Sequence, residues 1–273
     1  MTSIQTKAKI PSVYNLISMS QACGAVIQSN FFSKYNITRK ADRTPRTKID
    51  SQNNEFIINQ CKQAFPEVSV IAEERSHYVE GADHMLLCDP MDGTLAFTHH
   101  LPLATVCLSL VCKGTPIAAV IHEPFIRRTW FAEKDGGAFY SYGLMEKPKR
   151  IFVSKHRKIE RAHMCVFWWK NSLYNIHLVN QKLIEKGISF SSPDSMALMG
   201  ALIASAKIHA SIAPVKTAYE TAPIDLIVRE AGGKATDMYG NELLYDESAK
   251  IKGHIISNGV FHKEIVEVVA SCQ

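Results

Sequence analysis

The sequence contains no run of about 20 apolar residues, so no membrane-spanning helix is predicted. The first residues, MTSIQTKAKIP, lack the apolar core of a secretory signal, and the expected location is cytoplasmic. The cysteines number seven, an odd count, with no Cys-x-x-Cys pair. That argues against a disulfide scaffold. Cys88, Cys107 and Cys112 lie inside apolar runs and are expected to be buried, reduced thiols. Internal repeats and low-complexity tracts are also missing. Only 21% of residues are charged, which suits a folded globule rather than a disordered chain. No long Lys/Arg tail accompanies the net charge of +5. The densest patches, Lys147 to Arg150 and Lys155 to Arg161, read as solvated loops. No nucleic-acid polymer and no membrane is expected as partner; the mild positive excess suits a small anionic substrate.

What is present is ample apolar material: 46% of 273 residues, enough for one large domain or two medium ones. After Pro11, apolar residues at Val13, Leu16, Ile17, Cys23, Val26 and Ile27 predict a helix. ITRKADRTPRTKID reads as a loop or loose hairpin, and Asp50 as the cap of a second helix. VSVIAEE and HMLLCDP are short strand-like runs ending in carboxylates. TVCLSLVCKGTPIAAVIHEP and RRTWFAEKDGGAFYSYG each read as a hairpin. Beyond a basic linker with Pro148, strands and helices alternate to a C-terminal helix. Two subdomains are expected, 1–147 and 148–273, divided at this linker.

The stretch CDPMDGT has the parts a phosphate ester hydrolase needs. Mg²⁺ takes hard oxygen ligands, and paired metals need several carboxylates in one small volume. Asp89 and Asp92 can fold toward one point around Pro90, with the Met91 carbonyl between them. Gly93 permits close backbone approach, and Thr94 offers an N–H and a hydroxyl at a helical turn that favours anions. A plain Asp-Pro-x-Asp-Gly turn has the same composition. The adjoining acids Glu73 and Glu74 favour the cation reading, since clustered buried carboxylates repel. The spaced oxygen ligands of an EF-hand loop are missing.

Four motifs, in order along nearly the whole chain, resemble the inositol monophosphatase-like superfamily of Mg²⁺-dependent, lithium-sensitive phosphatases. They are TPRTKID, IAEERS, DPMDGTLAF and AYETAPIDLIVREAGG. The resemblance implies the layered α-β-α-β-α sandwich (α+β) of the inositol monophosphatase and fructose-1,6-bisphosphatase type. It implies two or three Mg²⁺ ions, inhibition by Li⁺ and a homodimer. It assigns Glu73, Asp89 and the Met91 carbonyl to the first metal, and Asp89, Asp92 and Glu220 to the second. Gly93 and Thr94 would bind phosphate oxygens. Asp50 and the Thr94 hydroxyl, with Glu73, would orient and activate a metal-bound water. Ser195 and Met196 would line the substrate side.

The implied activity is hydrolysis of a small phosphate monoester, such as an inositol monophosphate-like sugar or polyol phosphate. The chain departs from the family pattern in places. Glu220 stands for the family's Asp, Ala213 and Lys216 occupy the region of the inositol-binding acid, and Asp194 replaces a Gly. Glu220 also reads as a helix cap. Tyr219 before the acid resembles histidinol-phosphate phosphatases; 3′(2′),5′-bisphosphate nucleotidases are a further alternative, with Lys40, Arg43 and Arg46 toward a second phosphate. A weakly active member with a binding or regulatory role is the third reading. His99 and His100 are expected at a surface turn, and Trp168 and Trp169 in the core or at a subunit contact.

Overall fold

The computed structural model describes residues 9–34, 36–40, 44–143, 147–168, 172, 174–215 and 217–272. Helix α1 (Val13–Asn30) starts from Ser12, which forms a reciprocal capping box with Asn15; Pro11 precedes the cap rather than sitting in the first turn. Strands β1 (Thr38–Arg39) and β2 (Pro45–Arg46) pair antiparallel as the expected loose hairpin. Helix α2 (Lys48–Ala64) is capped by Thr47, not Asp50. Asp50 is the third residue of the helix, and its carboxylate turns back on Thr47.

Seven strands form the larger sheet. They are β3 (Val68–Ala72), β4 (His84–Asp92), β5 (Thr105–Cys112), β6 (Thr115–Glu123), β7 (Arg128–Glu133), β8 (Gly137–Tyr142) and β9 (Lys149–Arg150), in chain order across the sheet. β3 and β4 are parallel; every later pair is antiparallel. Between β4 and β5 lies a short helix, α3 (Thr94–Thr98). β9 lies just past the expected boundary at 147/148 and still belongs to this sheet.

The second sheet contains β10 (His163–Val166), β11 (Ser189–Ser191), β12 (Ala210–Ala213), β13 (Lys234–Thr236) and β14 (His254–Ser257), in the order β11-β10-β12-β14-β13. Helices α4 (Ile176–Glu185), α5 (Met196–Ala204), α6 (Thr221–Glu230) and α7 (His262–Ala270) complete the chain.

The strands read as unbroken apolar runs because both faces of the sheet are covered. Neighbours Leu86 and Leu87 are both fully buried yet join different cores. Leu86 packs with Leu16, Ile27, Ile57 and Ile58 of α1 and α2. Leu87 packs with Met199, Ile203, Ile224 and Ile227 of α5 and α6. A third core joins Val179 and Leu183 of α4 and Ile265 of α7 to Met164 and Ile255 of the second sheet. The layers are therefore helices, sheet, helices, sheet, helices, the expected α-β-α-β-α sandwich. The central helix layer is tight: a side chain on Gly200 of α5 would fall 2.4 Å from Ile224 of α6. No helix among the described residues is long and apolar enough to cross a membrane. All seven cysteines are free, and six are buried.

Candidate functional site

The site lies where β3 and β4 end. In a regular strand, residues three apart point to opposite faces. Asp89 pairs with Cys107 and Asp92 with Thr105, so three steps on β4 match two on β5. This β-bulge inserts one residue and turns both carboxylates to the same side. Pro90 fits inside it, because a bulge spares the ladder hydrogen bond that proline cannot give. The Met91 N–H donates to Asp89 Oδ1 at 2.8 Å and closes the turn. Gly93 then takes φ +91°, a left-handed conformation that suits glycine, and starts α3. A side chain there would meet Ala104 and Ser195 at 3.3 Å.

Three acids converge. Asp89, Asp92 and Glu220 each bring a carboxylate oxygen within 4.8 Å of the others. Asp89 and Asp92 are buried and Glu220 is half-buried. Burial, then Glu73, Glu220 and Asp92, hold Asp89 well above the ordinary carboxylate range. Glu220 is pushed up to about 8 by burial and then by Asp92 and Glu73. Its Oε2 is buried and has no hydrogen-bond partner. Such a set of hard oxygen donors fits Mg²⁺, and a divalent cation would relieve both the repulsion and the unpaired oxygen. Glu220 precedes α6 without making a side-chain cap bond, so its carboxylate is not spent on the helix.

Asp92 is raised by burial and held against that rise by hydrogen bonds. Its Oδ2 accepts from Ser195 Oγ at 2.7 Å, Ala197 N at 2.8 Å and Thr105 Oγ1 at 3.2 Å. Its Oδ1 takes only the longer contact from Met196 N, at 3.3 Å. Ser195 and Met196, expected on the substrate side, are instead buried behind Asp92 at the start of α5. Ser195 is the N-cap of that helix, and its one hydroxyl proton goes to the carboxylate.

Asp50 is fully buried and raised by burial. Its Oδ2 accepts from Thr47 N and Thr47 Oγ1, both at 2.7 Å. Its Oδ1 is left for the Thr94 hydroxyl, at 2.9 Å. That hydroxyl also lies 2.9 Å from the Met91 carbonyl. The capping box of α2 thus aims one carboxylate oxygen at the start of α3.

Glu73 stands at the end of β3, and its Oε1 is held by Lys40 Nζ at 2.7 Å. Lys40 and Arg46 both also engage Glu74, each at 2.6 Å. These two cations, considered for a second phosphate, are occupied by the β3 acids; Arg43 lies outside the described residues, as do Lys216 and Trp169. Glu73 is near enough to raise Asp89 and Glu220 but is outside the close triad. Thr47, Thr105 and the Lys40 clamp were not singled out from sequence. Ser-x-x-Asp and Thr-x-x-Asp spacing does mark a capping box, so Thr47 had a readable signal. Thr105 had none. His99 bonds the Leu95 carbonyl and His100 the Phe31 carbonyl, at the expected surface turn. Trp168 is 58% exposed and is not core.

Residues 11–273 match the model of the inositol monophosphatase family. A fructose-1,6-bisphosphatase/inositol-1-monophosphatase of Thermotoga maritima is 29% identical over 82% of this chain and 81% of its own. A histidinol-phosphatase of Chlorobaculum parvum is 24% identical, covering 96% of this chain and 97% of its own. The Nus factor SuhB of Pasteurella multocida is 26% identical over the same shares, 96% and 97%. Among solved structures, an IMPase of Thermotoga maritima superposes with a TM-score of 0.81 at 25% identity, over 94% of this chain and 95% of that one.

Proposed function

The chain belongs to the inositol monophosphatase family, and we propose that it hydrolyses a small phosphate monoester with the help of Mg²⁺. The observation that carries this reading is the triad Asp89, Asp92 and Glu220, three acids each raised by burial and gathered beside the N-terminus of α3. These acids, with the Met91 carbonyl and Glu73 at the edge, would hold two or three ions. When bound, Mg²⁺ supplies Lewis-acid stabilisation of phosphoryl charge, and lithium sensitivity is part of the same reading.

The chain's own groups do the rest. The N–H groups of Gly93 and Thr94 donate to phosphate oxygens. The Thr94 hydroxyl gives its proton toward Asp50 and so presents a lone pair outward. That lone pair orients an attacking water, and Asp50 accepts charge through the relay. Burial raises Asp50, which makes it a better proton acceptor than a solvated aspartate. The bulge and the α5 N-terminus fix Asp92, so little reorganisation is needed at the moment of reaction.

One observation favours a second reading of the substrate. Ala213, in the region of the family's inositol-binding acid, is fully buried and apolar. A sugar hydroxyl finds no carboxylate partner at that residue. Tyr219 beside Glu220 is half-buried, its hydroxyl pushed up to about 12 by burial and then by Glu73 and Glu220. A histidinol-phosphate-like substrate, with a cationic side arm, fits this acidic surrounding.

One panel tests both. Phosphate release is measured from inositol phosphate, fructose bisphosphate, histidinol phosphate and adenosine bisphosphate, with Mg²⁺, with and without Li⁺. Mg²⁺-dependent release from at least one monoester is expected. No release from any of them would leave a binding or regulatory role, in line with the SuhB relative's name.

A further inference from the structure

The positive charge of this chain is not spread over it. Residues 147–161 contain seven of the 31 lysines and arginines and one of the 26 acids. The remainder carries 24 basic and 25 acidic residues, so the whole excess of +5 comes from one short stretch. All seven cations, Lys147, Lys149, Arg150, Lys155, Arg157, Lys158 and Arg161, are exposed. Among the described residues, none has a carboxylate within 4.0 Å.

Packing gives this stretch a surface. The Val153 N–H donates to the Ala231 carbonyl and pins it to the C-terminal end of α6. Phe152 stands out of it, 58% exposed, with the Arg150 guanidinium 5.6 Å from its ring centre. Phe152, Lys155, Arg157 and Val260 line one open concavity of about 770 Å³. Arg157 also lines the neighbouring one, with Lys158 and Arg161. The two hollows therefore share a cationic wall, and the first adds an exposed aromatic and an aliphatic floor. Two acids also line the second hollow: Glu264 is paired with Lys186 at 2.6 Å, and Glu160 stands against three cations, Arg157, Lys158 and Arg161.

From this we propose that the face built by residues 147–161 binds single-stranded nucleic acid, phosphates along the cations and a base stacked on Phe152. Unpaired cations in a row favour a polyanion through counterion release. The exposed ring favours bases over bare acidic side chains or lipid headgroups, because every base has a π-face to stack. A duplex hides those faces. A second copy of this chain would bring the same positive charge and be repelled. The face is separate from the acidic triad: Glu220 and Ala231 stand at opposite ends of α6, roughly 16 Å apart along its axis. It is therefore an addition to phosphatase chemistry and does not rest on it.

Fluorescence anisotropy of labelled oligouridylate and oligothymidylate with the whole protein tests it, beside a duplex and phosphatidylserine vesicles. Binding of a single strand is expected at low salt, with affinity falling steeply as salt rises. The triple variant Lys155→Glu, Arg157→Glu, Lys158→Glu should lower the log–log salt slope by about 2. Phe152→Ala should weaken binding roughly tenfold and leave that slope alone. These side chains are exposed and outside the acidic site, so Mg²⁺-dependent phosphate release, where present, and the melting temperature should not change. Absence of single-strand binding overturns the proposal, as does preference for duplex or vesicles. Binding that survives both variants unchanged places any nucleic-acid site elsewhere and also overturns it.

Discussion

Ser195 donates its hydroxyl to Oδ2 of Asp92 at 2.7 Å, across a sequence separation of 103 residues. This one bond ties the bulge of β4 to the N-terminus of α5. With Ala197 and Thr105 it occupies Oδ2 and leaves Oδ1 with only the longer Met196 contact. Asp92→Asn keeps one acceptor oxygen for Ser195, Ala197 and Thr105 but points an amide at the Met196 N–H. A stability cost of about 1 kcal/mol is expected. Phosphate release should drop on the order of 100-fold or more, since several kcal/mol of charge stabilisation are lost. Melting curves and single-substrate rates check the two parts separately. Retained activity would remove Asp92 from the metal set.

Thr94 and Asp50 separate catalysis from stability. Thr94→Val removes the relay hydroxyl and should reduce turnover roughly 100-fold or more, with a stability loss of about 1 kcal/mol because the buried Asp50 Oδ1 loses its hydrogen bond. Asp50→Ala removes the same relay and also the capping box of α2, adding a loss of about 1 kcal/mol. Equal melting temperatures for the two variants would mean that the Thr47–Asp50 box contributes nothing to the fold.

Glu220 is the one glutamate of the proposed metal triad, one methylene longer than its two aspartate partners. Glu220→Ala should raise the Mg²⁺ concentration for half-maximal activity about tenfold or more. Glu220→Asp should hold or tighten it, since Mg²⁺ tolerates distorted geometry poorly. A magnesium titration followed by phosphate release reads both. An unaltered titration for Glu220→Ala would reduce the residue to a neighbour of α6.

Acid should destabilise the protein early. His122, His254 and His262 are buried, and burial lowers them to about 4, 3 and 4. Their folded values lie below the unfolded value near 6.5, so the unfolded chain binds protons that the native chain refuses. The stability they represent is present above pH 6.5 and is lost as pH falls toward 4. Each contributes about 1.4 kcal/mol per pH unit in that window. Asp225, raised by burial to about 6, works in the opposite direction and offsets part of the loss. With Mg²⁺ present, the melting temperature should fall on the order of 10 °C between pH 6.5 and 5.5. His122→Gln should make that fall visibly shallower. A flat profile would show that these rings take up protons without opening the core.

The elements were largely legible because their signals are local. Helix α1, the β5–β6 hairpin and the alternation from β10 to α7 follow from apolar period and turn residues. The acidic turn at Asp89–Thr94 was legible for the same reason. The supports were not. Thr105 and Ser195 meet Asp92 only after β5 and α5 have packed, and neither has a local pattern that names its partner. Ser195 therefore reads as a substrate contact when matched by motif alone. The Lys40 clamp on Glu73 escaped for a related reason: a loop lysine looks solvated until the hairpin folds over β3. Asp50 shows a subtler loss. Its place near a helix start was readable, but which of Thr47 and Asp50 caps the helix depends on backbone geometry.

The order of the triad along the chain has a temporal meaning. A ribosome delivers Asp89 and Asp92 long before α5 and Glu220 emerge. In that interval the two acids have neither the Ser195 anchor nor their third companion. On the proposed reading, the metal set of an unfinished chain is therefore incomplete. The three carboxylates come together only when the middle helix layer closes, so the acidic cluster is a late product of folding and not of the local turn alone.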